Sequence, residues 1–311
     1  MAGNSKATIL IISYNEKEYL PRAIESCKKQ TYGNTEIIIG DDGSNDGSIE
    51  YIRSLGDGIR HYVMQREAGD IIPSIRVSEV IKRGLRESTG DYFIVLSGDD
   101  YFCDDHMLED AVKWLDDHPD HSAYVNGFKK VTDDSVLEEV IPKHRSPSVY
   151  WSDDYLHISC FVFRKMSDRD LLCRFCDDTG LEFILAIQGK WKYSDKIAFA
   201  YYQRPRSIMH EADPMELAIL EAMIYQDILN YPKVPLGLKF ATKARFRSSM
   251  IYIDQNSEQL AYGADGSIGE SRYRKYLNNC EKYGNNVLRK RKGFLSMTFA
   301  RYYYAVRRRL F

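Results

Sequence analysis

The fold of this chain is restricted above all by a short apolar run, residues 93–96, which lies between Gly90 and Gly98 and precedes Asp99 and Asp100. An apolar run of this length bounded by glycines is typical of a strand buried on both faces of a parallel sheet. Because open α/β sheets bind ligands at the carboxyl ends of their strands, the two carboxylates should lie where a small molecule binds. Adjacent like charges there favour a divalent cation that also carries phosphate oxygens. A solvated turn is the simpler alternative.

The residues before this run repeat a pattern of strand, loop and helix. Each strand is a short apolar segment, and in the helices apolar residues recur at helical spacing. A doubly wound parallel sheet, with a ligand across the loops that follow its strands, is therefore predicted. The predicted strands are 7–12, 36–40, 61–64 and 93–96, and the predicted helices are 20–27, a helix from about residue 49, and 75–86.

The composition is that of an ordinary soluble globular protein. The chain has 311 residues, of which 44% are hydrophobic and 28% are charged, enough for a full core and an appendage. No apolar run approaches the length that spans a bilayer, and the first six residues lack the apolar core of a signal peptide. We therefore expect a cytoplasmic protein whose six cysteines are thiols rather than a disulfide framework.

Three segments carry a resemblance to a known family. Residues 12–15 read Ile-Ser-Tyr-Asn, residues 41–48 read Asp-Asp-Gly-Ser-Asn-Asp-Gly-Ser, and residues 90–100 join Gly-Asp-Tyr to the apolar run and Asp-Asp. In this order and spacing they resemble the signatures of glycosyltransferase family 2, a group of inverting enzymes that use nucleotide sugars. Within the family the chain is similar to spore-coat and other bacterial surface polysaccharide transferases.

The resemblance implies an α/β domain of the GT-A type, Rossmann-like, with a mostly parallel sheet and flanking helices. We place this nucleotide-sugar-binding and catalytic domain at residues 1–212. From residue 214 the sequence turns helical, with predicted helices at 215–229, 238–253 and 271–283. We therefore predict a helical C-terminal region at 213–288 and a basic tail at 289–311.

The resemblance also implies which residues bind the nucleotide. In the family the serine-tyrosine-asparagine loop and the second aspartate of the next motif hold the base and ribose, which implies Ser13, Tyr14, Asn15 and Asp42 here. Arg76 lies at the spacing before the glycine of the third motif where related enzymes place an arginine beside the nucleotide.

Residues 199–207 are similar to the closing strand of the family and the basic loop after it. The resemblance implies that Arg204 and Arg206 reach the diphosphate, the leaving group that gains charge during transfer. A solvated loop beside an edge strand is the alternative.

The metal motif departs from the common form of the family. That form is Asp-x-Asp-Asp, whereas residues 97–100 read Ser-Gly-Asp-Asp, so the first carboxylate is missing. The resemblance implies that Asp99 and Asp100 bind Mg²⁺ or Mn²⁺, with Asp99 also serving the nucleotide sugar. One or two carboxylates suffice when phosphates and water complete the shell, so we expect weaker metal binding without nucleotide.

A second acidic pair supplies the candidate general base. The stretch from residue 156 to Lys190 again resembles the family, with Asp177 in place of a glutamate and Asp178 at the position of the catalytic aspartate. An inverting transfer needs one such carboxylate, because the acceptor hydroxyl loses a proton as it attacks. The alternative for the pair is a helix N-cap, a position that aspartate favours.

The same stretch has the outward form of a structural zinc site. His157, Cys160, Cys173 and Cys176 follow a zinc-like spacing. The resemblance implies a strand over residues 156–164, led by the histidine, and on one strand His157 and Cys160 would point to opposite faces, which makes joint ligation awkward. The resemblance already accounts for His157, and the zinc site stays an alternative.

The tail carries an unusual charge. Residues 289–311 contain eight of the 43 Lys and Arg residues and no Asp or Glu, which leaves 35 basic against 45 acidic residues before them. Such a split indicates that the tail meets something anionic. Nucleic acid is not expected as the partner, because the body of the protein is acidic.

The spacing of residues from about Phe294 predicts an amphipathic helix. Arg301 and Arg308 fall on the face opposite the apolar residues, which suits a helix lying on an anionic membrane surface. The alternative is a helix packed on the acidic body of the protein. The apolar face consists of Leu295, Phe299, Tyr302, Tyr303, Val306 and Leu310.

Together these features predict a metal-dependent glycosyltransferase that moves a sugar from a nucleoside diphosphate, with inversion at the anomeric carbon. UDP is the expected nucleoside diphosphate. Its acceptor is expected to be a glycan or a lipid-linked molecule of surface polysaccharide synthesis at the inner face of the membrane. A nucleotide-sugar-binding or scaffold protein that keeps the fold without turnover is the alternative.

Overall fold

A computed structural model describes residues 5–66, 73–146, 156–166, 177–204, 214–232 and 234–256. The chain divides into two compact units. The first comprises the described residues within 1–66 and 76–207, and the second those within 67–75 and 208–311.

The first unit is built around one sheet. Its strands are β1 (Ala7–Ser13), β2 (Thr35–Asp41), β3 (Arg60–Val63), β4 (Tyr92–Ser97), β5 (Tyr101–Phe102), β6 (His121–Val131), β7 (Val136–Val140), β8 (Phe161–Arg164) and β9 (Lys190–Tyr202). The helices from the N-terminus onward are α1 (Leu20–Lys28), α2 (Ser48–Ser54), α3 (Pro73–Glu87), α4 (Met107–Asp117) and α5 (Asp178–Gln188).

The strand order is β3-β2-β1-β4-β8-β6-β9-β5, and β7 pairs with β6. Strands β1 to β4 are parallel neighbours, which confirms the α/β sheet predicted from the repeated strand and helix pattern. Strand β8 runs antiparallel to both β4 and β6, while β6 and β9 are parallel. The carboxyl ends of β1, β2 and β4 therefore meet at one edge of the sheet, called the carboxyl edge below.

The centre of the sheet is the core of this unit. All four residues of the apolar run 93–96 are fully buried, as are Ile9, Leu10 and Ile11 on the neighbouring β1. A strand covered by helices on both faces has no polar face, which is why these segments are apolar without alternation. A Cβ added at Gly40 would meet the Tyr62 hydroxyl at 2.5 Å, so β2 approaches its neighbours closely there.

The segment around His157 differs from the strand that the sequence predicts. Residues Ile158–Cys160 form a 3₁₀ turn, and β8 begins only at Phe161. The turn forms because the Ser159 backbone N–H donates to the His157 Nδ1 atom, so the side chain offers the backbone a local partner in place of a neighbouring strand. The prediction of a continuous strand from residue 156 was wrong at its start.

The second unit contains helices α6 (Pro214–Asn230) and α7 (Leu236–Gln255), close to the predicted helices 215–229 and 238–253. The two helices pack together, and the Ser249 hydroxyl donates to the Glu221 Oε2 atom at 2.8 Å. The predicted helix 271–283 and the basic tail 289–311 lie outside the described residues. Among the helices that are described, none has the length and apolar character needed to cross a bilayer.

Candidate active site

Three loops meet at the carboxyl edge because of the register of the parallel strands. Ser13 at the end of β1 pairs with Asp41 of β2, and Ile12 pairs with Ser97 of β4. The loops continue this pairing, since the Asp42 N–H donates to the Ser13 carbonyl and the Gly98 N–H donates to the Ile12 carbonyl, both at 2.8 Å. The structure thus brings together the three segments that carry the resemblance.

The loops after β1 and β2 are held to each other by side chains. Asn15 has a positive φ of 54°, its backbone N–H donates to the Ser44 hydroxyl at 2.8 Å, and its side-chain oxygen accepts the Asn45 N–H at 2.9 Å. The Asp41 carboxylate accepts the N–H groups of Gly43 and Ser44. Asn15 therefore shapes the loop. The Ser13 hydroxyl at the end of β1 is buried and makes no hydrogen bond to any described residue.

Asp42 is fixed between two arginines. The Arg76 Nε and Nη2 atoms lie 2.9 and 2.6 Å from Asp42 Oδ1, and Arg66 Nη2 lies 2.9 Å from Oδ2. The Arg66 guanidinium also stacks 3.5 Å from the centre of the Tyr14 ring. Tyr14, Asp42 and Arg76 are thus brought together as predicted, and they form an aromatic face beside charged hydrogen-bonding groups, an arrangement that suits a planar base and a ribose.

Arg66 was missed by the sequence reasoning. It lies just beyond β3, a strand whose end joins the same carboxyl edge. Its position after a strand was the available signal, but residues 61–64, which read His-Tyr-Val-Met, predict a strand only weakly.

A cluster of carboxylates surrounds Arg204 at the end of β4. The Arg204 Nη2 atom donates to Glu16 Oε1 at 2.9 Å, and its Nε atom lies 2.9 Å from Asp99 Oδ2, close enough for an ion pair although the two are not aligned as a hydrogen bond. Arg22 donates to the Asp99 carbonyl at 3.0 Å. Arg204, which is predicted to reach the diphosphate, thus lies against Asp99 of the metal motif.

Asp100 is fully buried next to this cluster. Its Oδ1 atom accepts the Tyr202 N–H at 2.9 Å, and its Oδ2 atom makes no hydrogen bond to any part of the chain that the structure describes. Burial raises the pKa of Asp100 well above its ordinary value, and the charges of Asp99 and Glu16 raise it further. The pKa of Asp99 is also raised by burial, against the opposing effect of Arg204.

These residues fit a divalent cation that arrives with a diphosphate. Within the described ranges, no three His, Cys, Asp or Glu side chains are arranged to hold a metal by themselves. Mg²⁺ and similar ions, however, need only one or two carboxylates when substrate phosphates and water supply the other ligands. Asp99, together with the Asp100 Oδ2 atom, which has no hydrogen-bond partner among the described residues, provides this donor set, and a cation there would relieve the repulsion between the carboxylates.

The second acidic pair divides between two positions. Asp177 is the N-cap of α5, and its side chain accepts the Gly180 N–H at 2.9 Å, so the capping role falls to Asp177 and not to Asp178. Burial, and to a smaller degree the charge of Asp178, raise the pKa of Asp177 to about 7. Asp178 is the first helical residue and is half-buried.

His157 connects this pair to the metal motif. Its Nδ1 atom accepts a backbone N–H, so the proton lies on Nε2, which is 3.9 Å from Asp100 Oδ2. The ring packs against Tyr201, with the centroids 4.7 Å apart. Burial lowers the pKa of His157, and the nearby charges of Asp178 and Asp99 oppose that shift. Asp178 therefore lies within electrostatic reach of the same edge as Asp99 and Asp100.

The zinc alternative is tested only in part. Cys160 is a buried free thiol, and His157 lies at a turn, so the argument that a strand would point the two to opposite faces does not hold. Cys173 and Cys176 lie outside the described residues, as does Arg206.

Comparison with known families supports the resemblance. The model of the family described as glycosyl transferase family 2 matches residues 8–172. An uncharacterised protein of Mycobacterium bovis is 26% identical over 169 residues, which are 52% of this chain and 48% of that protein. An uncharacterised glycosyltransferase of Haemophilus influenzae is 32% identical over 111 residues, 36% of this chain and 43% of that protein. The chain spans about half the length of the curated relatives it matches.

Solved structures with the same fold include S. aureus TarS residues 1–349 in complex with UDP-GlcNAc. That structure has a TM-score of 0.60 and 16% identity, and the match covers 89% of this chain and 80% of that one. The mannosyltransferase PcManGT of Pyrobaculum calidifontis, in complex with GDP-Man and Mn²⁺, has a TM-score of 0.50 and 14% identity, covering 90% and 87% of the two chains. At these identities the likeness shows a shared GT-A-like fold.

Proposed function

The chain belongs to glycosyl transferase family 2, and on that premise we propose that it transfers a sugar from a nucleoside diphosphate to an acceptor hydroxyl at the carboxyl edge. The observation that carries the proposal is that three sets of residues lie together at this edge. They are the Tyr14, Asp42 and Arg76 group, the Asp99 and Arg204 pair, and the neighbourhood of Asp178.

UDP is the proposed nucleotide. The aromatic face of Tyr14 and the oriented carboxylate of Asp42 suit a pyrimidine base and its ribose. A structural neighbour is in complex with UDP-GlcNAc and another with GDP-Man, so related folds hold nucleotide sugars of both kinds. For the base to stack on Tyr14, Arg66 must move from the ring it covers.

The proposed reaction is a single displacement with inversion. Asp178 accepts the proton of the acceptor hydroxyl as its oxygen forms a bond to the anomeric carbon. The bond from that carbon to the diphosphate oxygen breaks at the same time, and the nucleoside diphosphate leaves with the electron pair. One carboxylate is enough for this chemistry, because no covalent intermediate forms on the protein.

The leaving diphosphate requires positive charge at the end of β4. Arg204 lies there, held by Glu16 and Asp99, and Arg22 approaches the same loop. Asp99, with Asp100 behind it, would hold Mg²⁺ or Mn²⁺, which supplies Lewis-acid stabilisation of the charge that develops on the diphosphate. The buried surroundings strengthen each of these interactions.

The acceptor and location are proposed from the tail. Residues 289–311 are strongly basic and predicted to be amphipathic, which favours an anionic membrane surface over a free position in solution. A peripheral enzyme at the inner face of the membrane would meet lipid-linked glycans of surface polysaccharide synthesis.

A second candidate is a binding or scaffold protein without turnover. Two observations favour it: Ser97 occupies the position of the first metal carboxylate, and Arg204 already neutralises Asp99. Slow, metal-dependent release of the nucleoside diphosphate from a nucleotide sugar distinguishes the two, because only the enzyme breaks that bond.

The proposal is tested by a thermal-shift panel on the full chain. UDP-, GDP-, ADP- and dTDP-sugars are each added with Mn²⁺ and with EDTA. We expect the largest rise in Tm from a UDP-sugar with Mn²⁺, since a ligand that binds only the folded state stabilises it. A panel in which no nucleotide sugar raises Tm contradicts the proposal.

A further inference from the structure

Glu16 is a buried carboxylate at the carboxyl edge to which the family resemblance gives no role. Only 6% of the residue is exposed. Its Oε1 atom accepts a hydrogen bond from Arg204 at 2.9 Å, while its Oε2 atom has no hydrogen-bond partner among the described residues. Burial and the charge of Asp99 raise the pKa of Glu16 well above its ordinary value, while the charge of Arg204 opposes that rise and favours the ionised carboxylate. Such a group is costly to keep unless it serves the site.

Gly98 makes room for this carboxylate. A Cβ at position 98 would lie 2.4 Å from Glu16 Oε2 and 3.2 Å from the Ile12 carbonyl oxygen. Any side chain there would have to displace Glu16 or the end of β1. The glycine before Asp99 and the glutamate of the first loop therefore depend on each other.

Glu16 also supplies a third carboxylate to the cluster, in which the metal motif has only two. Ser97 replaces the first acidic residue of the motif, and Glu16 brings an acidic group to the same cluster from the loop after β1. The Glu16 carboxylate lies next to Arg204 and not at the position of Ser97, so we expect it to act through the arginine.

Arg204 bridges Glu16 and Asp99, with 2.9 Å to each. The Asp99 Oδ2 atom that contacts Arg204 is also a candidate metal ligand, and two cations close to one carboxylate repel each other, which favours release of the arginine from Asp99. Glu16 contacts the Nη2 end of the guanidinium, whereas Asp99 contacts the Nε side. The arginine can therefore leave Asp99 and turn towards a phosphate while one carboxylate still holds it.

We propose that Glu16 is a positioning residue that retains Arg204 at the diphosphate site when Asp99 exchanges the arginine for the metal. The inference rests on the proposed function, since it requires a nucleoside diphosphate at this edge. Glu16 acts on the donor through Arg204.

The test is binding of UDP with Mn²⁺ to the full chain, measured by isothermal titration calorimetry. The variants are Glu16→Gln, Arg204→Gln and the double variant. Glu16→Gln keeps the shape and one acceptor but loses the charge, and we expect at least about tenfold weaker binding of UDP with Mn²⁺, the effect of losing about 1.4 kcal/mol. Because Glu16 acts through Arg204, the double variant should bind no more weakly than Arg204→Gln alone.

Glu36→Gln is the matched control. Glu36 is a mostly buried, ion-paired glutamate near the start of β2, at the opposite end of the strand from the carboxyl edge. It should lower Tm without changing the affinity for UDP with Mn²⁺. A purely structural role for Glu16 predicts the same pattern in Glu16→Gln.

The outcomes separate the two proposals. If Glu16→Gln binds UDP with Mn²⁺ as tightly as wild type, or if the effects of the two single variants add, the positioning role is wrong while the proposed function stands. If the wild-type chain binds no UDP with Mn²⁺, the UDP donor is wrong and the positioning role falls with it.

Discussion

Asp177 and Asp178 are neighbours in the chain but occupy different positions at the start of α5. An N-cap residue turns its side chain back to the first turn of the helix, and Asp177 does so by accepting the Gly180 N–H. The next residue is helical, and the charge of Asp178 acts on His157 at the carboxyl edge. The sequence left open whether this pair caps the helix or supplies the base, and the helix boundary assigns the cap to Asp177.

Asp178→Asn should therefore reduce kcat by roughly 10²- to 10⁴-fold, because an amide cannot accept the proton of the acceptor. The affinity for the donor should not change, which calorimetry with the nucleotide sugar would check. Asp177→Asn is the matched control, since asparagine caps helices as well as aspartate does. If instead Asp177→Asn loses activity and Asp178→Asn keeps it, the base is Asp177, whose pKa of about 7 suits that task.

Single residues were predictable where a local motif carried them. Asp42, Arg76 and Asp99 come from short segments whose spacing is visible in the sequence, and the structure places them at one edge. The partnership of Glu16 and Arg204 was not predictable, because the two are 188 residues apart. Only the folded sheet, in which the Tyr202 N–H at the end of β9 donates to Asp100 in the loop after β4, brings them into contact.

Strands and their connections show a similar division. The apolar runs that became β1, β2 and β4 were correctly predicted, because burial on both faces leaves a clear apolar signal. The turn at Ile158–Cys160 was missed because it depends on a hydrogen bond to the His157 ring that apolar spacing does not encode. Side-chain bonds of this kind also join strands to each other, as they do around Glu36.

Glu36 links β2 to its neighbours near the end opposite the site. The carboxylate accepts hydrogen bonds from Thr8 on β1, from Thr89 before β4 and from Lys6, and it pairs with Arg60 on β3 at 3.3 Å. Burial alone would raise its pKa, but the hydrogen bonds from Thr8, Thr89 and Lys6 lower it to about 2. The folded state thus binds fewer protons than the unfolded state between the ordinary value of 4.5 and about 2.

Glu36→Gln should lower the free energy of unfolding at pH 7 by about 1–2 kcal/mol, after discounting for the partly exposed Lys6 and Arg60. The stabilisation is fully present above the ordinary pKa of glutamate and is lost as the pH falls through about 2. The difference between wild type and variant in urea unfolding should therefore shrink from pH 5 to pH 3. Glu139→Gln, at an exposed position of β7, is the control. A difference that does not change with pH would contradict the cause given for the pKa.

The whole chain combines an acidic body with a basic tail. The tail lies outside the described residues, so its membrane role rests on sequence alone. Amphipathic helices on a membrane and helices packed on a protein share the same apolar spacing, and for that reason the pattern cannot decide between them.

Sedimentation of the full chain with anionic liposomes decides between them. Each Lys or Arg near an anionic surface contributes about 1 kcal/mol, so a truncation before Arg289 should abolish pelleting. A second variant, in which Arg301, Arg307, Arg308 and Arg309 are replaced by Gln, keeps the length of the tail and should pellet much less. Neutral liposomes and high salt are the controls, since salt screens the attraction. A truncated chain that pellets as fully as the intact one rules out the membrane role.

If the whole molecule is a metal-dependent glycosyltransferase, its carboxyl edge breaks the bond between sugar and diphosphate with the help of a metal. The measurement is release of UDP from the UDP-sugar that gives the largest thermal shift, without added acceptor, in wild type and in Asp99→Asn, each with Mn²⁺ and with EDTA. We expect slow release of UDP by the wild type with Mn²⁺, and release at least about 100-fold slower in EDTA and in Asp99→Asn. Thermal unfolding should show that Asp99→Asn has the same Tm as the wild type. Equal rates of UDP release in all four conditions would contradict the account.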